Sequence, residues 1–351
     1  MIHFEIIAGR DWHMTFWIAI VSIGSSIFFT GLLRRYALQR NVLDIPNSRS
    51  SHSVPTPRGG GLAIVVGFLI SLGLMRSFDL IDNAFFLASF LAGLTVAALG
   101  FLDDHGHIPA RWRLLGHFLA AVWALYWIGG LPSVTIFGLQ VNLGWVGAAL
   151  AVLYAVWMLN LYNFMDGIDG LASAEAICAC SSAALIYWLL GYEELLWPPI
   201  FLALATAGFF YWNFPKARIF MGDAGSGFLG ITLAIISLKA VSFSSTLLWV
   251  WLILLGVFIV DATFTLLRRL VRGEKVYEAH RSHAYQYASR TFNAHIPVTL
   301  CVILINLVWL APIAWLVAFD RVDGAVGMLI AYVPLVTLAL KFKAGVKEVS
   351  C

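Results

Sequence analysis

The residues of this chain that could do chemistry are concentrated in a few short segments, and the richest of them spans residues 160–171. It places two amides and two carboxylates close together, at Asn160, Asn163, Asp166 and Asp169. Nearly continuous apolar stretches precede and follow it, so we expect two membrane spans that meet at a short polar hairpin. Carboxylates at a membrane boundary are costly and tend to mark a functional site. The alternative interpretation is a solvated loop that caps a helix.

A second polar segment begins with the adjacent carboxylates Asp103 and Asp104 and continues to Arg111 and Arg113. Adjacent carboxylates at the end of a span suit a divalent cation or a base that acts at a phosphate. The fifth position is His107, so this is not the Asp-Asp-x-x-Asp motif of prenyl synthases. An aspartate pair alone is weak evidence, because it can be incidental at a helix end.

The third segment, residues 218–227, sets Asp223 between glycines at the predicted start of a helix. A carboxylate in this position can hold Mg²⁺ while backbone N–H groups face phosphate oxygens. Phe220 could stack on a nucleobase, although a phenylalanine at a membrane edge more often serves packing.

Two basic segments complete the set. Residues 44–61 contain Arg58, three prolines and three glycines that lead into a helix, which suits an anion site. The alternative is a basic loop that satisfies the positive-inside rule. Near the end of the chain, His280, Arg281 and His283 could contact a diphosphate, although one such cluster alone is more often solvated surface.

The composition sets the class of protein. Of the 351 residues, 61% are hydrophobic and only 12% are charged, which indicates an integral membrane protein. A net charge of +3 is too small to argue for nucleic acid as a partner. The four cysteines show no metal-binding spacing, so we expect free thiols. Asp261, inside a predicted span, is interpreted as a buried structural acid without a catalytic role.

The hydrophobic pattern predicts an all-α protein with about eleven transmembrane helices in one polytopic domain, residues 1–351. A small periplasmic β-hairpin is predicted around Gly138, where the sequence alternates. The N-terminus is predicted outside and the C-terminus in the cytoplasm, since this places 18 of the 22 Lys and Arg residues inside. All five motif-bearing segments then share the cytoplasmic face. The predicted spans are 14–33, 59–75, 84–102, 115–131, 145–162, 171–190, 198–213, 225–240, 246–267, 297–318 and 324–341.

The order of these motifs resembles that of the polyprenyl-phosphate N-acetylhexosamine-1-phosphate transferases, the WecA and MraY enzymes among them. The matching segments are residues 55–60, 103–104, 160–171, 220–226 and the histidine-containing segment from residue 280. The resemblance implies transfer of a sugar 1-phosphate from a UDP-N-acetylhexosamine to undecaprenyl phosphate, with release of UMP. It also implies a multi-pass protein of the bacterial inner membrane that works at the cytoplasmic face and initiates O-antigen or a related polysaccharide. A homodimer is compatible with it.

The resemblance assigns roles to particular residues. Asp223 would be the principal ligand of Mg²⁺, for which Mn²⁺ can substitute. Asp103 would position or deprotonate the lipid phosphate, Asp104 would support the metal or that group, and Asp166 would be a third catalytic carboxylate. For the uracil, Asp169 would face the edge of the ring. The implied substrate-binding residues are Arg58, Asn160, Asn163, Asp169, Phe220, His280, Arg281 and His283.

Two departures from the family pattern are informative. The last segment lacks the three adjacent histidines of the MraY branch, which argues against a UDP-MurNAc-pentapeptide substrate and is more similar to the WbpL branch. The Asp-Asp segment lacks the lysine that the family often carries downstream, so Arg111 or Arg113 would take its place. Arginine and lysine are not equivalent at a phosphate.

Other classes of protein explain the pattern less well. A secondary transporter also uses intramembrane acids, but here the acids fall at span ends and no half-to-half repeat is evident. A CDP-alcohol phosphotransferase requires a longer aspartate motif than the one that begins at Asp166. Within the transferase interpretation, both direct attack by the lipid phosphate and a covalent aspartyl intermediate remain open.

Overall fold

A computed structural model of the chain describes residues 11–46, 54–106, 108–274 and 280–347. Fourteen α-helices make up most of this part, together with a π-helical turn, Asn306–Leu310, between the twelfth and thirteenth. The helices are α1 Asp11–Gln39, α2 Leu62–Ser77, α3 Asn83–Gly106, α4 Ala110–Ile128, α5 Gly144–Met165, α6 Leu171–Leu190, α7 Glu193–Asn213, α8 Asp223–Val241, α9 Thr246–Leu254, α10 Gly256–Val271, α11 Ala284–Phe292, α12 Ile296–Ile305, α13 Ala311–Ala318 and α14 Gly324–Lys341.

The helices confirm an all-α integral membrane protein. Eight helical segments in the described part are long and apolar enough to cross a membrane. A ninth span results if α9 and α10, which meet at a bend of 75°, are counted as one broken span. Because α2 is shorter and α4 carries two arginines near its start, the prediction of eleven spans stays a prediction.

The two short strand pairs lie between helices. Val134–Ile136 (β3) and Leu139–Val141 (β4) pair antiparallel, which confirms the predicted hairpin. Phe137 and Gly138 both have positive φ, as a tight two-residue hairpin turn requires. The other pair joins Leu43–Asp44 (β1) to Thr56–Pro57 (β2). Residues 47–53 of the predicted anion-binding segment lie outside the described residues.

The core is built around α8. This helix is apolar on all sides and almost wholly buried, and it packs against both α3 and α5. Gly100 allows a close approach of α3: a Cβ atom there would lie 2.5 Å from the backbone nitrogen of Ala224. The last turn of α3 therefore lies directly on the first turn of α8, which places Asp103 and Asp104 beside Asp223.

Candidate active site

Arg113 joins two carboxylates that are far apart in sequence. Its Nη1 atom lies 3.2 Å from Oδ2 of Asp223 and also donates to Oδ2 of Asp103 at closer range. The backbone N–H of Ile108 donates to the other oxygen of Asp103 at 2.8 Å. Arg111, two residues earlier on α4, points elsewhere and lies over the ring of Trp112. The structure therefore places Arg113, and not Arg111, at the acidic cluster.

Asp104 contacts the start of α8 from the neighbouring helix. Its carboxylate faces the backbone N–H groups of Asp223 and Ala224, which have no partners within α8 because they open the helix. One of its oxygens, Oδ2, is buried and has no hydrogen-bond partner among the described residues. Gly222 makes this approach possible, since its φ is +77° and a Cβ there would lie 2.7 Å from that oxygen. Arg58 donates to the backbone carbonyl of Asp104.

The hairpin between α5 and α6 adds a fourth carboxylate, Asp166, to this site. Asp166 directly follows α5 and is half-buried. Burial, together with the negative charges of Asp223, Asp104 and Asp169, raises its pKa to about 7. Asn163 fixes the hairpin to α8 through hydrogen bonds to Asp223 and to Oγ of Ser226, the latter at 3.2 Å.

Asn160 was predicted to bind substrate. Its side-chain amide donates to the carbonyl of Val156 within α5 at 2.7 Å. The structure thus shows a contact inside the helix, and the substrate-binding role of Asn160 stays a prediction.

The donor set suits a magnesium ion. No three Asp, Glu, His or Cys side chains form a ready ligand cluster in the described ranges. However, Mg²⁺ commonly uses only one or two protein carboxylates and takes its other ligands from phosphates and water. Asp223 together with the unpaired oxygen of Asp104 meets that requirement. Among the residues that the structure describes, Arg113 is the one side-chain cation bonded to the carboxylates of Asp103 and Asp223, so the local excess of negative charge favours a further cation.

A cavity of about 580 Å³ opens on the side of the hairpin that carries Asp169. Phe220 lines the same cavity, so the structure brings together the two residues predicted to contact a uracil. The backbone N–H of Phe220 donates to the carbonyl of Pro57 at 2.8 Å. This bond joins the loop before α8 to the segment that carries Arg58.

Asn213, which the sequence interpretation did not single out, ties two of the motifs together. Its side chain is buried, accepts a hydrogen bond from the N–H of Gly170 at 2.8 Å and donates to the carbonyl of Ile219 at 2.9 Å. The residue ends α7 just before Phe214 and Pro215. An amide at the end of an apolar run, followed by a proline, is the sequence feature that could have identified it.

The last predicted segment packs inside the protein. His283 is 3% exposed, and its Nδ1 atom lies 3.3 Å from Oδ1 of Asp261 on α10. Burial lowers the pKa of His280 to about 3, aided by the charges of His283 and Arg269, so this imidazole is neutral at pH 7. Arg281 is half-buried and its carbonyl accepts from a side-chain nitrogen of Arg290.

The roles of His280, Arg281 and His283 at a diphosphate stay predictions. Tyr285, which the sequence interpretation missed, connects their segment to the acidic hairpin: its hydroxyl donates to the carbonyl of Phe164 at 2.9 Å. It packs so closely on Gly167 that a Cβ there would lie 2.1 Å from the hydroxyl oxygen.

The fold and the site define a polytopic all-α membrane protein with a carboxylate cluster at one end of its bundle. Residues 86–241 match the model of glycosyl transferase family 4. A probable undecaprenyl-phosphate N-acetylglucosaminyl 1-phosphate transferase of Bacillus subtilis is 30% identical over 296 residues, 83% of this chain and 81% of that protein. The undecaprenyl-phosphate α-N-acetylglucosaminyl 1-phosphate transferase of Thermotoga maritima is 31% identical, over 78% of this chain and 80% of that protein.

A phospho-N-acetylmuramoyl-pentapeptide-transferase of Halalkalibacterium halodurans is also similar, at 27% identity over 80% of this chain and 90% of that protein. The chain belongs to the WecA- and MraY-like family of polyprenyl-phosphate sugar-1-phosphate transferases. This confirms the resemblance drawn from the motifs, and it favours an enzyme over a transporter.

Proposed function

We propose that this enzyme transfers an N-acetylhexosamine 1-phosphate from a UDP-sugar to undecaprenyl phosphate in a Mg²⁺-dependent reaction that releases UMP. The observation that carries the proposal is the meeting of Asp103, Asp104 and Asp223 around the start of α8, with Arg113 between two of them. The cavity lined by Asp169 and Phe220 supports it, since its size suits a nucleoside.

In the proposed reaction, an oxygen of the lipid phosphate forms a bond to the β-phosphorus of the donor. The bond from that phosphorus to the bridging oxygen breaks, and UMP leaves with the electron pair. A phosphate monoester is largely ionised at pH 7, with a second pKa of about 6, so no strong base is required. We therefore prefer direct attack to a covalent aspartyl intermediate.

The chain's residues would position the reactants and balance charge, which accounts for most of the catalysis in phosphoryl transfer. Asp223 and Asp104 would hold the magnesium ion, which supplies positive charge to the donor's diphosphate. Arg113 would replace the family's lysine, because it already lies between the carboxylates of both predicted subsites. Asp103, oriented by Arg113 and by the N–H of Ile108, would position the lipid phosphate.

The proposal includes the setting of the reaction. We place the acidic cluster at the cytoplasmic face of a bacterial inner membrane, with eleven spans, the N-terminus outside and the C-terminus inside. The charge asymmetry supports this orientation. The product would initiate O-antigen or a related envelope polysaccharide, and the active form can be a homodimer.

A UMP-release assay tests the proposal. Purified protein would be mixed with undecaprenyl phosphate and Mg²⁺, and with UDP-GlcNAc, UDP-GalNAc, UDP-FucNAc or UDP-QuiNAc in turn. We expect UMP from at least one donor, only when lipid and metal are both present. Release without the lipid would contradict the transfer reaction, and failure of every UDP-amino sugar would reject the proposed donor class.

Two variants control this assay. Asp223→Asn keeps the size of the side chain and removes its charge, so we expect a fall in turnover of about 10²–10³-fold, as for loss of a group that stabilises transition-state charge. Glu193→Gln removes an exposed carboxylate at the start of α7 and should retain wild-type turnover. Equal activity of the two variants would remove Asp223 from the site.

A further inference from the structure

The connection between α11 and α12 lies against Asp169. The Nδ1 atom of His295 is 3.3 Å from Oδ1 of Asp169 and 3.5 Å from its backbone nitrogen. One turn later, the hydroxyl of Thr299 donates to the carbonyl oxygen of Asp169 at 2.8 Å. Both the side chain and the backbone of Asp169 are thus held by a segment 126 residues further along the chain.

The same connection forms one wall of the cavity that holds Phe220. His295, Asn293 and Arg290 line the cavity together with Asp169. The side chains of His295 and Asp169 are 18% and 14% exposed, so their contact is partly shielded from water but still reachable from the cavity. A carboxylate in such a position can be oriented by its neighbours while keeping one oxygen toward a ligand.

We propose that His295 is a positioning residue that sets the base specificity of the donor site by orienting the carboxylate of Asp169 toward the pyrimidine edge. The inference rests on the proposed function, and it adds a residue outside every motif in the sequence. Uracil presents an N3–H donor, whereas cytosine presents an acceptor at the same position. A fixed carboxylate therefore accepts a hydrogen bond from uracil and repels cytosine.

This chemistry predicts that loss of His295 affects binding of the base and not the chemical step. Discrimination by hydrogen bonding depends on a polar group that cannot turn away from the wrong ligand. Without the imidazole, Asp169 gains rotational freedom, so the site binds uracil less tightly and rejects cytosine less strongly. In the proposed reaction, the His295–Asp169 contact involves the base and not the phosphates, so the chemical step should change little.

The experiment compares His295→Ala, His295→Gln and His13→Gln with the wild type. His13 is an exposed histidine on α1 and provides a matched control. The measurements are kcat, the KM of the UDP-sugar, the KM of undecaprenyl phosphate, and inhibition by UMP and by CMP. We expect His295→Ala to raise the donor KM about tenfold and to reduce the preference for UMP over CMP by a similar factor, a change of about 1.4 kcal/mol.

In His295→Ala, kcat and the lipid KM should stay within about twofold of wild type. His295→Gln should restore part of the preference, because its amide can still hydrogen-bond to Asp169. An unchanged UMP-to-CMP preference in His295→Ala would overturn the inference. So would a loss of kcat with no change in donor KM, since that pattern indicates a structural role.

Direct binding of UMP and CMP, measured by calorimetry on the same proteins, separates this inference from the proposed reaction. If wild-type protein releases no UMP from any donor but binds UMP in preference to CMP, and His295→Ala loses that preference, the base site stands and the reaction is wrong. If turnover is as proposed and the preference is insensitive to His295, only the inference fails.

Discussion

Two acidic sites in this protein differ in how their carboxylates are satisfied. At the start of α8, Arg113 pairs with Asp103 and Asp223, while one oxygen of Asp104 has no partner among the described residues. Asp261 on α10 is the opposite case. It accepts from the hydroxyl of Thr265 and lies within hydrogen-bonding distance of three groups at the start of α11: Nδ1 of His283 and the backbone N–H groups of Ala284 and Tyr285, at 2.9 to 3.3 Å.

The comparison separates a reactive site from a structural one. A carboxylate that already accepts several hydrogen bonds has little capacity left for a substrate or a metal. The role of Asp261 is therefore to fix the start of α11. The α8 cluster instead keeps close like charges and an unpaired buried oxygen, which is costly in an isolated protein. Such a cost is common at sites whose ligand completes the arrangement.

The largest effect should come from changing the charge balance of the α8 cluster. Arg113→Ala leaves Asp103 and Asp223 without their shared cation, so we expect turnover to fall about 10²-fold in the UMP-release assay. Arg113→Lys keeps the charge but not the guanidinium geometry and should fall between that variant and wild type. Arg111→Ala is the matched control on the same helix. If it lost as much activity as Arg113→Ala, the contact seen at Arg113 would not explain the effect.

A second test changes Asp261, the carboxylate that already has several hydrogen-bond donors. Asp261→Asn places an NH₂ group near the backbone N–H groups of α11, so we expect a loss of about 2–3 kcal/mol in stability. The measurement is thermal unfolding of the purified protein in detergent, with Glu193→Gln as the reference. The donor KM of the folded fraction should remain near wild type. A normal unfolding temperature combined with lost turnover would show that Asp261 has a catalytic role.

A smaller effect should appear in the pH dependence of stability. The pKa of Asp166 is about 7 in the folded protein, whereas an aspartate in an unfolded chain releases its proton near pH 4. The folded state therefore binds the extra proton between these values, and stability falls as the pH rises through this window. Thermal unfolding of protein treated with EDTA, compared between pH 5 and pH 8, should show this slope.

Asp166→Asn should flatten that dependence, because its side chain carries no titrating proton. Added Mg²⁺ should raise the unfolding temperature most at pH 8, where the cluster is most negative. An identical slope in wild type and variant would assign the pH dependence to other groups.

Much of the fold could be predicted from the sequence. The apolar runs gave the all-α membrane class, and the alternation around Gly138 gave the hairpin now seen between β3 and β4. The acidic hairpin between α5 and α6 also lies where it was predicted. The number of spans was harder to predict, because length and hydropathy do not show whether short or bent helices such as α2 and the α9–α10 pair cross the membrane.

Some residues of the site could also be predicted from the sequence, and others could not. Asp103, Asp104, Asp166 and Asp223 could be found by sequence because acids are rare in an apolar chain, and each stands beside a glycine or a second acid. His283 lies inside against Asp261, a contact that the sequence did not indicate, and its role at a diphosphate stays a prediction. A histidine in a polar segment has the same sequence pattern whether it faces a ligand or caps a helix.

The sequence by itself determined the class of protein, the family and the residue types available for chemistry, because hydrophobic spans and short motifs are local properties. Only the tertiary structure selected Arg113 over Arg111, tied Asn213 to two motifs and placed His295 against Asp169. The physical reason is that these contacts join segments up to 126 residues apart. They depend on how each helix is rotated and how closely it packs on its neighbours, which sequence spacing does not specify.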